Sequence, residues 1–248
     1  MANPVKIKST LTRITDHGED VYTLYFKPQK KLPRFKMGQF LHLALDEYNP
    51  QGGFWPESRI FSIASGPSSE EIVLAYSVKG VFTKRMKEEL SAGREIWLKL
   101  PYGSFIIESS IRQEETVVLI AGGTGITPFV SYLCEKAQND PDREITLFYG
   151  VRRPELFLFK DILSNCLAKM PNFRLYLFAE KKLPDGFSGL QAEVRQGRLS
   201  ADIIREVSFR VAHPVYFLSG PPVMLKLFRE DLLSAGIESS KIIIDEWE

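Results

Sequence analysis

Thr116-Val117-Val118-Leu119-Ile120-Ala121-Gly122-Gly123-Thr124-Gly125-Ile126-Thr127-Pro128 is the stretch on which the fold turns. Its first five residues are apolar and mostly β-branched, the pattern of a buried strand. Three glycines then fall within four positions, and an apolar periodic segment follows. Strand, glycine turn and helix in that order bring a backbone turn close to a phosphate and aim a helix N-terminus at it. Glycine permits the approach because it has no Cβ to block a ligand or to forbid positive φ. Thr124 or Thr127 can cap the helix, and Pro128 suits its first turn, where a missing N–H costs nothing. The spacing differs from the G-x-G-x-x-G fingerprint, and a ligand-free glycine turn would use the same residues. The flanking sequence has to choose between the two.

Beyond this turn the chain alternates. Strands are expected at 117–121, 145–149, 173–178, 215–218 and 242–244, with helices from 126, at 155–170, at 201–207 and at 222–235. That alternation predicts a five-stranded parallel sheet with helices on both faces, a Rossmann-like α/β domain. Gly150-Val151-Arg152-Arg153 and Ser219-Gly220-Pro221-Pro222 also follow strands directly, so three glycine-bearing turns should share the sheet's carboxyl edge, where such sheets bind ligands.

Before the turn the pattern is different. Residues 5–11, 21–26, 40–45, 59–64, 72–78 and 95–100 read as short strands, with one helix near 83–90. Six strands at this spacing predict a closed antiparallel Greek-key barrel, because closure removes exposed edges. The polar run 108–115 reads as the linker, giving domains at 1–112 and 113–248.

Composition narrows the possibilities. The 248 residues suit two domains of ordinary size, and 44% apolar with 25% charged residues is enough to build a core in each. Net charge is +1, so there is no basic footprint for nucleic acid. Two cysteines cannot hold an iron–sulfur cluster, which takes about four thiolates. The dispersed His17, His42 and His213 make no zinc site. No run reaches ~18 apolar residues and the N-terminus lacks a signal-peptide core, so a cytoplasmic protein without a membrane partner is expected.

In the barrel, Arg59-Ile60-Phe61-Ser62 puts Arg59 and Phe61 on one face of a strand and Ser62 on the other. A cationic fork beside an aromatic ring suits a ligand carrying both a phosphate and a flat ring system. An exposed Arg beside a core Phe explains the same pair. Gly80-Val81-Phe82-Thr83 opens the barrel's helix and offers a second anion site, or a plain cap by Thr83. Pro101-Tyr102-Gly103-Ser104-Phe105 reads as a turn with aromatics.

Taken in order, these pieces resemble the ferredoxin–NADP reductase superfamily of flavoproteins over nearly the whole chain. Arg59 to Ser62 resembles its R-x-Y-S flavin motif, Gly80 to Thr83 its flavin-pyrophosphate turn, and Pro101 to Phe105 its G-P-x-G-x-F stretch. Gly122 to Pro128 resembles its nicotinamide-dinucleotide loop. Phe148-Tyr149-Gly150-Val151-Arg152 and Gly220-Pro221-Pro222-Val223-Met224 complete the set.

The resemblance implies two cofactors, FAD and NAD(P)H. Arg59 would bind flavin phosphate, Phe61 would stack beside the isoalloxazine, and Ser62 would hydrogen-bond near flavin N5. Ile60, Tyr76, Val78, Gly80, Val81, Phe82, Thr83 and Gly103 would complete the flavin contacts. Gly123, Thr124, Gly125 and Thr127 would cradle the dinucleotide, with Gly220 and Pro221 under the nicotinamide. Ser62 and Ser219 would be the catalytic positioning residues, and Trp247 would cover the flavin. Phe61 stands where the family usually has Tyr, and Ser219 where it often has Cys. Arg152 and Arg153, with Lys181 and Lys182, lean toward a 2′-phosphate and hence NADPH, although relatives using NADH also carry an Arg there.

The expected activity is hydride transfer from NAD(P)H to FAD and onward passage of electrons to a separate carrier such as ferredoxin, flavodoxin or an oxygenase component. Reduction of free flavin or another small acceptor is the alternative within the same chemistry. A non-catalytic flavin-binding electron-transfer subunit is the alternative outside it.

Overall fold

A computed structural model describes residues 3–182, 192–208 and 210–245. The chain divides into two compact units, Met1–Ile106 and Ile107–Glu248, with the division six residues before the expected 112/113 boundary. Physically, the polar run belongs to the second unit because Arg143 clamps it. The Arg143 guanidinium donates to the carbonyls of Gln113 (3.0 Å), Arg112 (3.1 Å) and Glu115 (2.6 Å).

The first unit holds β1 (Val5–Asp16), β2 (Val21–Pro28), β3 (Phe40–Ala44), β4 (Ser58–Ser62), β5 (Ile72–Ser77), α1 (Val81–Glu89) and β6 (Glu95–Tyr102). Its strands run in the order β4-β3-β6-β1-β2-β5, and every ladder is antiparallel. Alternation decides which side faces in: Ile7 and Leu11 of β1, Leu41 and Leu43 of β3, and Ile96 and Leu98 of β6 meet in one cluster. From α1, Phe82 and Met86, one helical turn apart, enter the same cluster. Fully burying each such side chain contributes about 1.5–3 kcal/mol. The barrel is nearly closed. Just past the end of β4, Ala64 donates to the Val73 carbonyl (2.8 Å) of β5 and the Val73 N–H to the Ser65 hydroxyl (3.2 Å), which partly closes the seam between the end strands.

The second unit holds β7 (Thr116–Gly122), α2 (Thr127–Asn139), β8 (Ile145–Val151), α3 (Lys160–Lys169), β9 (Phe173–Ala179), β10 (Glu193–Gln196), α4 (Ala201–Ser208), β11 (Pro214–Ser219), α5 (Pro222–Ser234) and β12 (Ile242–Ile244). Its sheet is parallel throughout, in the order β10-β9-β8-β7-β11-β12. β7 lies near the centre and is buried along its whole length, as a strand covered on both faces must be. On one face Val118, Ile120 and Phe148 pack against Ile204 and Val207 of α4 and Leu225 and Phe228 of α5.

Two expectations are corrected. The sheet has six strands, not five. β10 was missed because Glu193-Val194-Arg195-Gln196 has one apolar residue and no hydrophobic period; its ladder with β9 alone makes it a strand. The helix expected over 155–170 is shorter. A 3₁₀ turn at Pro154–Leu156 precedes it, and Phe159 at φ 57° breaks the chain before α3 begins at Lys160.

Candidate functional site

In the second unit, the carboxyl ends of the parallel strands carry the three glycine turns, and each glycine has its own task. A Cβ on Gly125 would lie 2.3 Å from the Ser219 carbonyl oxygen and 2.6 Å from Gly220 Cα. A Cβ on Gly122 would meet the Met224 sulfur at 2.5 Å, and one on Gly220 the Met224 methyl at 2.7 Å. A Cβ on Gly150 would be less crowded, 3.2 Å from the Leu199 Cβ. These glycines let neighbouring turns press together. Gly123 does not share that role: it takes φ 56°, and a Cβ there would meet nothing within 4 Å.

After β7 the chain makes a single 3₁₀ turn, Gly123–Ile126, before α2. The expected threonine cap is absent from it. Thr127 lies inside α2, 2% exposed, and its hydroxyl donates to the Thr124 carbonyl at 2.6 Å. Thr124 is half-buried beside the open Gly123. Ser219 is fully buried, and its hydroxyl donates to the Asp245 carboxylate at 3.2 Å. Asp245 is anchored in turn by its own N–H on the Leu218 carbonyl (2.9 Å). Pro221, Arg152 and Arg153 are exposed. The Lys181 N–H donates to the Arg152 carbonyl (2.9 Å), so the basic turns after β8 and β9 adjoin. Trp247 lies outside the described residues.

The open face of this edge can receive an anion. N–H groups at the start of a 3₁₀ turn and helix lack intrahelical acceptors, and the helix dipole adds positive potential there. Gly123 supplies the room.

In the first unit, the candidate residues gather at the seam between β4 and β5. Strand β4 pairs with β3 on one side only, so alternate N–H and C=O groups on its other edge are free for a ligand's heteroatoms. Arg59 is exposed, pairs with Glu57 (2.9 Å) and sits with its guanidinium carbon 5.1 Å from the Phe82 ring centroid. That contact brings Arg59 to the first turn of α1, joining two motifs that begin 21 residues apart in sequence. Phe61 packs on the barrel cluster and meets the Tyr76 ring edge-on at 6.2 Å. Tyr76 stacks on Tyr22 at 5.3 Å, and burial pushes its hydroxyl pKa up. Val78 packs on the same cluster, whereas Val81 is 81% exposed at the helix start. Ile60 and Ser62 are half-buried on the other face of β4.

Thr83 holds the loop rather than reaching outward. Its hydroxyl accepts the N–H groups of Lys79 (2.9 Å) and Gly80 (3.0 Å) and donates to the Gly80 carbonyl. The N–H groups of Val81, Phe82 and Thr83 have no acceptor four residues back, which leaves them for a ligand. Gly103, at φ 93°, lies flat on Phe40, where a Cβ would come within 2.7 Å of the ring. Its role in this unit is to seat a turn.

Neither cysteine is available as a thiolate. Burial pushes Cys134 up to about 11 and Cys166 up to about 12. No group of three or more potential metal ligands occurs among the described residues.

Residues 119–230 match the oxidoreductase NAD-binding domain family. A crystal structure of a ferredoxin NADP+ reductase from Neisseria gonorrhoeae, with bound FAD and NADP, superposes with a TM-score of 0.74 over 99% of both chains at 21% identity. The chain shares the fold of that ferredoxin NADP+ reductase, and its second unit matches the oxidoreductase NAD-binding domain. Among curated relatives, it is 26% identical over 215 residues to a flavohemoprotein of Rhizobium meliloti (strain 1021), covering 84% of this chain and 51% of that one. It is 26% identical over 247 residues to the propane 2-monooxygenase reductase component of Rhodococcus jostii (strain RHA1), covering 97% and 63% respectively. The chain therefore spans roughly half to two thirds of the length of these relatives.

The pairing of Ser219 with Asp245 was not foreseen, although a signal existed. Asp245 follows the apolar run of β12, so it reaches the same carboxyl edge as the glycine turns. Met224 was read only as part of a motif; its contact with two glycines could not be read from spacing.

Proposed function

We propose that this chain is an NAD(P)H-dependent flavoprotein reductase, with FAD held by the barrel unit and NAD(P)H by the parallel-sheet unit. A single observation carries the reading. One chain combines an open-edged barrel, whose Arg59 meets a helix N-terminus, with a strand–turn–helix junction whose only outward glycine is Gly123. Both arrangements fit a nucleotide pyrophosphate: Arg59 and the first N–H groups of α1 in one unit, Gly123 and Thr124 in the other.

When bound, nicotinamide supplies electrons in pairs as hydride and flavin can release them singly or in pairs. The chain's own residues bind and orient. Arg59 exchanges its solvent-exposed pairing with Glu57, which is worth about 0–1 kcal/mol, for a phosphate. Phe61 offers a ring face with the edge of Tyr76 behind it, and the free edge of β4 offers N–H and C=O groups to ring heteroatoms. Ser62 serves as a hydrogen-bonding hydroxyl at that edge. Ser219 acts from inside, because its bond to Asp245 fixes the turn that carries Gly220 and Pro221. No acid–base pair is required, consistent with cysteines held as neutral thiols.

The electrons then pass to a separate protein; the likeness to a protein named as the reductase component of a monooxygenase supports this reading. Anaerobic mixing of the purified holoprotein with NADH and NADPH in parallel tests the reading. Flavin absorbance should bleach with at least one of them; a protein that takes up no FAD, or whose flavin neither nucleotide bleaches, refutes it.

A further inference from the structure

His42 stands half-buried in the middle of β3, with a strand on either side. Across the ladders it faces Ile60 of β4 and Lys99 of β6. Tyr102 meets its ring edge-on at 4.8 Å, and Phe40 tilts against it at 6.0 Å. Of the chain's three histidines, only this one pairs with the strand that carries Arg59 and Phe61.

A short chain of hydrogen bonds leads from the ring to that arginine. His42 Nδ1 lies 3.2 Å from the Ser58 hydroxyl oxygen, which lies 2.9 Å from the Trp55 indole nitrogen. An indole N–H can only donate. The Ser58 oxygen therefore accepts from Trp55, and its own proton is left for Nδ1 of a neutral His42. On the backbone side, the Ser58 carbonyl accepts from the Arg59 guanidinium at 3.0 Å. The same guanidinium pairs with Glu57 and lies over the Phe82 ring. One residue, Ser58, joins His42 to the side chain proposed to hold the flavin phosphate.

A proton on Nδ1 turns that acceptor into a donor. Ser58 then receives N–H groups from both sides, and its own proton loses its acceptor. The new charge also stands opposite Lys99, whose ammonium rests 5.5 Å from the Tyr102 ring and 5.8 Å from that of Trp55. Lys6 of β1 comes next in the same row, opposite Lys99. The carboxylates of the β3–β4 segment and of β6 are engaged elsewhere: Asp46 with Arg85, Glu47 and Glu95 with Lys8, and Glu57 with Arg59. Burial and then Lys99 hold the His42 pKa below the usual 6.5.

We propose that His42 is a positioning residue for the flavin site: neutral, it fixes Ser58 and through it Arg59, and protonated, it releases them. The proposal rests on the reductase reading. Its sign follows from linkage. FAD favours the neutral ring, so bound FAD lowers the His42 pKa. Affinity for FAD is constant above the His42 pKa of the free protein and falls as the pH drops below it.

NMR titration of the histidine-labelled protein, with and without FAD, reads this coupling directly; the His42 signal is the one missing from His42→Asn. The FAD-loaded protein should have the lower His42 pKa, by enough for protonation to weaken FAD binding about threefold or more. His42→Asn keeps an acceptor near the Nδ1 position and does not titrate. Its FAD dissociation constant, measured by flavin fluorescence, should stay level through the pH range in which the wild-type value rises. Ser58→Ala cuts the connection, so His42 should titrate there with the same pKa whether or not FAD is bound. Equal His42 pKa values in loaded and unloaded wild type overturn the proposal, as does a His42→Asn dissociation constant that rises with acid as the wild type's does. A wild type that takes up no FAD at pH 8 identifies a failure of the reductase reading itself.

Discussion

The two strand–turn–helix junctions, Gly122–Thr127 after β7 and Gly80–Thr83 before α1, look alike in sequence and are built differently. At the first, Gly122 and Gly125 are held by their neighbours: Met224 and the Ser219–Gly220 backbone occupy the places where side chains would go. At the second, Gly80 has extended φ of −147° and nothing within 4 Å, and the Thr83 hydroxyl does the ordering. One turn is shaped by contact with another turn, the other by a hydrogen bond within itself. Glycine in a loop therefore signals close packing as often as ligand approach, and of the glycines at these two junctions only Gly123 combines positive φ with open space in front of it.

Alanine at each junction breaks the comparison most sharply. Gly125→Ala forces a methyl to within 2.3 Å of the Ser219 carbonyl, and the backbone there is tied into the β7–β11 ladder. With little room to relax, the expected loss is about 3 kcal/mol or more, enough to lower Tm by several degrees or leave the unit unfolded. Gly80→Ala meets nothing and should cost at most about 1 kcal/mol, the difference between Gly and Ala at an N-cap. Thermal unfolding of both variants decides the matter; equal shifts would mean the packing at Gly125 is looser than these distances say.

Arg59→Ala comes next. Removing a charge-assisted phosphate contact of about 1.5–3 kcal/mol should weaken FAD binding about 10- to 100-fold. The flavin-to-protein absorbance ratio after gel filtration reads this directly. Undiminished flavin would move the phosphate site away from the Arg59–Phe82 contact.

How much of this was legible in the sequence follows from the same physics. Buried strands announce themselves by composition, so the β7 run and the alternation of Ile7 and Leu11 were readable, as was the change from barrel to parallel sheet. β10 was not, because an edge strand half in solvent needs no apolar period. The positions of Arg59, Phe61, Gly123 and Thr124 could be proposed from motif and strand parity. What each hydroxyl bonds could not. Thr127 on the Thr124 carbonyl, Ser219 on Asp245 and Thr83 on its own loop are choices made by three-dimensional neighbours that spacing does not encode.

A smaller effect separates the two units' ligands. Gly123→Ala places a methyl at φ 56°, strained by roughly 1–2 kcal/mol, on the face proposed to receive the dinucleotide. Thr124→Val alters the same face without strain. Both should raise KM for NAD(P)H several-fold while the flavin-to-protein ratio stays at the wild-type value. Loss of flavin in either variant would mean that the cofactors are assigned to the wrong units.

The smallest expected effect concerns the start of the second unit rather than either ligand. Glu115 is 7% exposed, accepts from the Lys241 ammonium and from the Arg112 N–H at 2.7 Å, and is held below its usual pKa of 4.5, chiefly by Lys241. A carboxylate with a depressed folded-state pKa contributes stability that is complete above its unfolded value, about 4.5, and is lost as pH falls through the folded value. Glu115→Gln keeps the shape and deletes the charge. Its Tm should fall short of wild type by a few degrees at pH 7, and the gap between the two curves should narrow as the pH drops below 4.5. The barrel unit, which lacks this contact, should show no such difference. Equal Tm values for the variant and the wild type at pH 7 would mean that Glu115 stabilises the junction through its shape and its Arg112 hydrogen bond, both of which Gln retains, with the Lys241 ion pair contributing nothing.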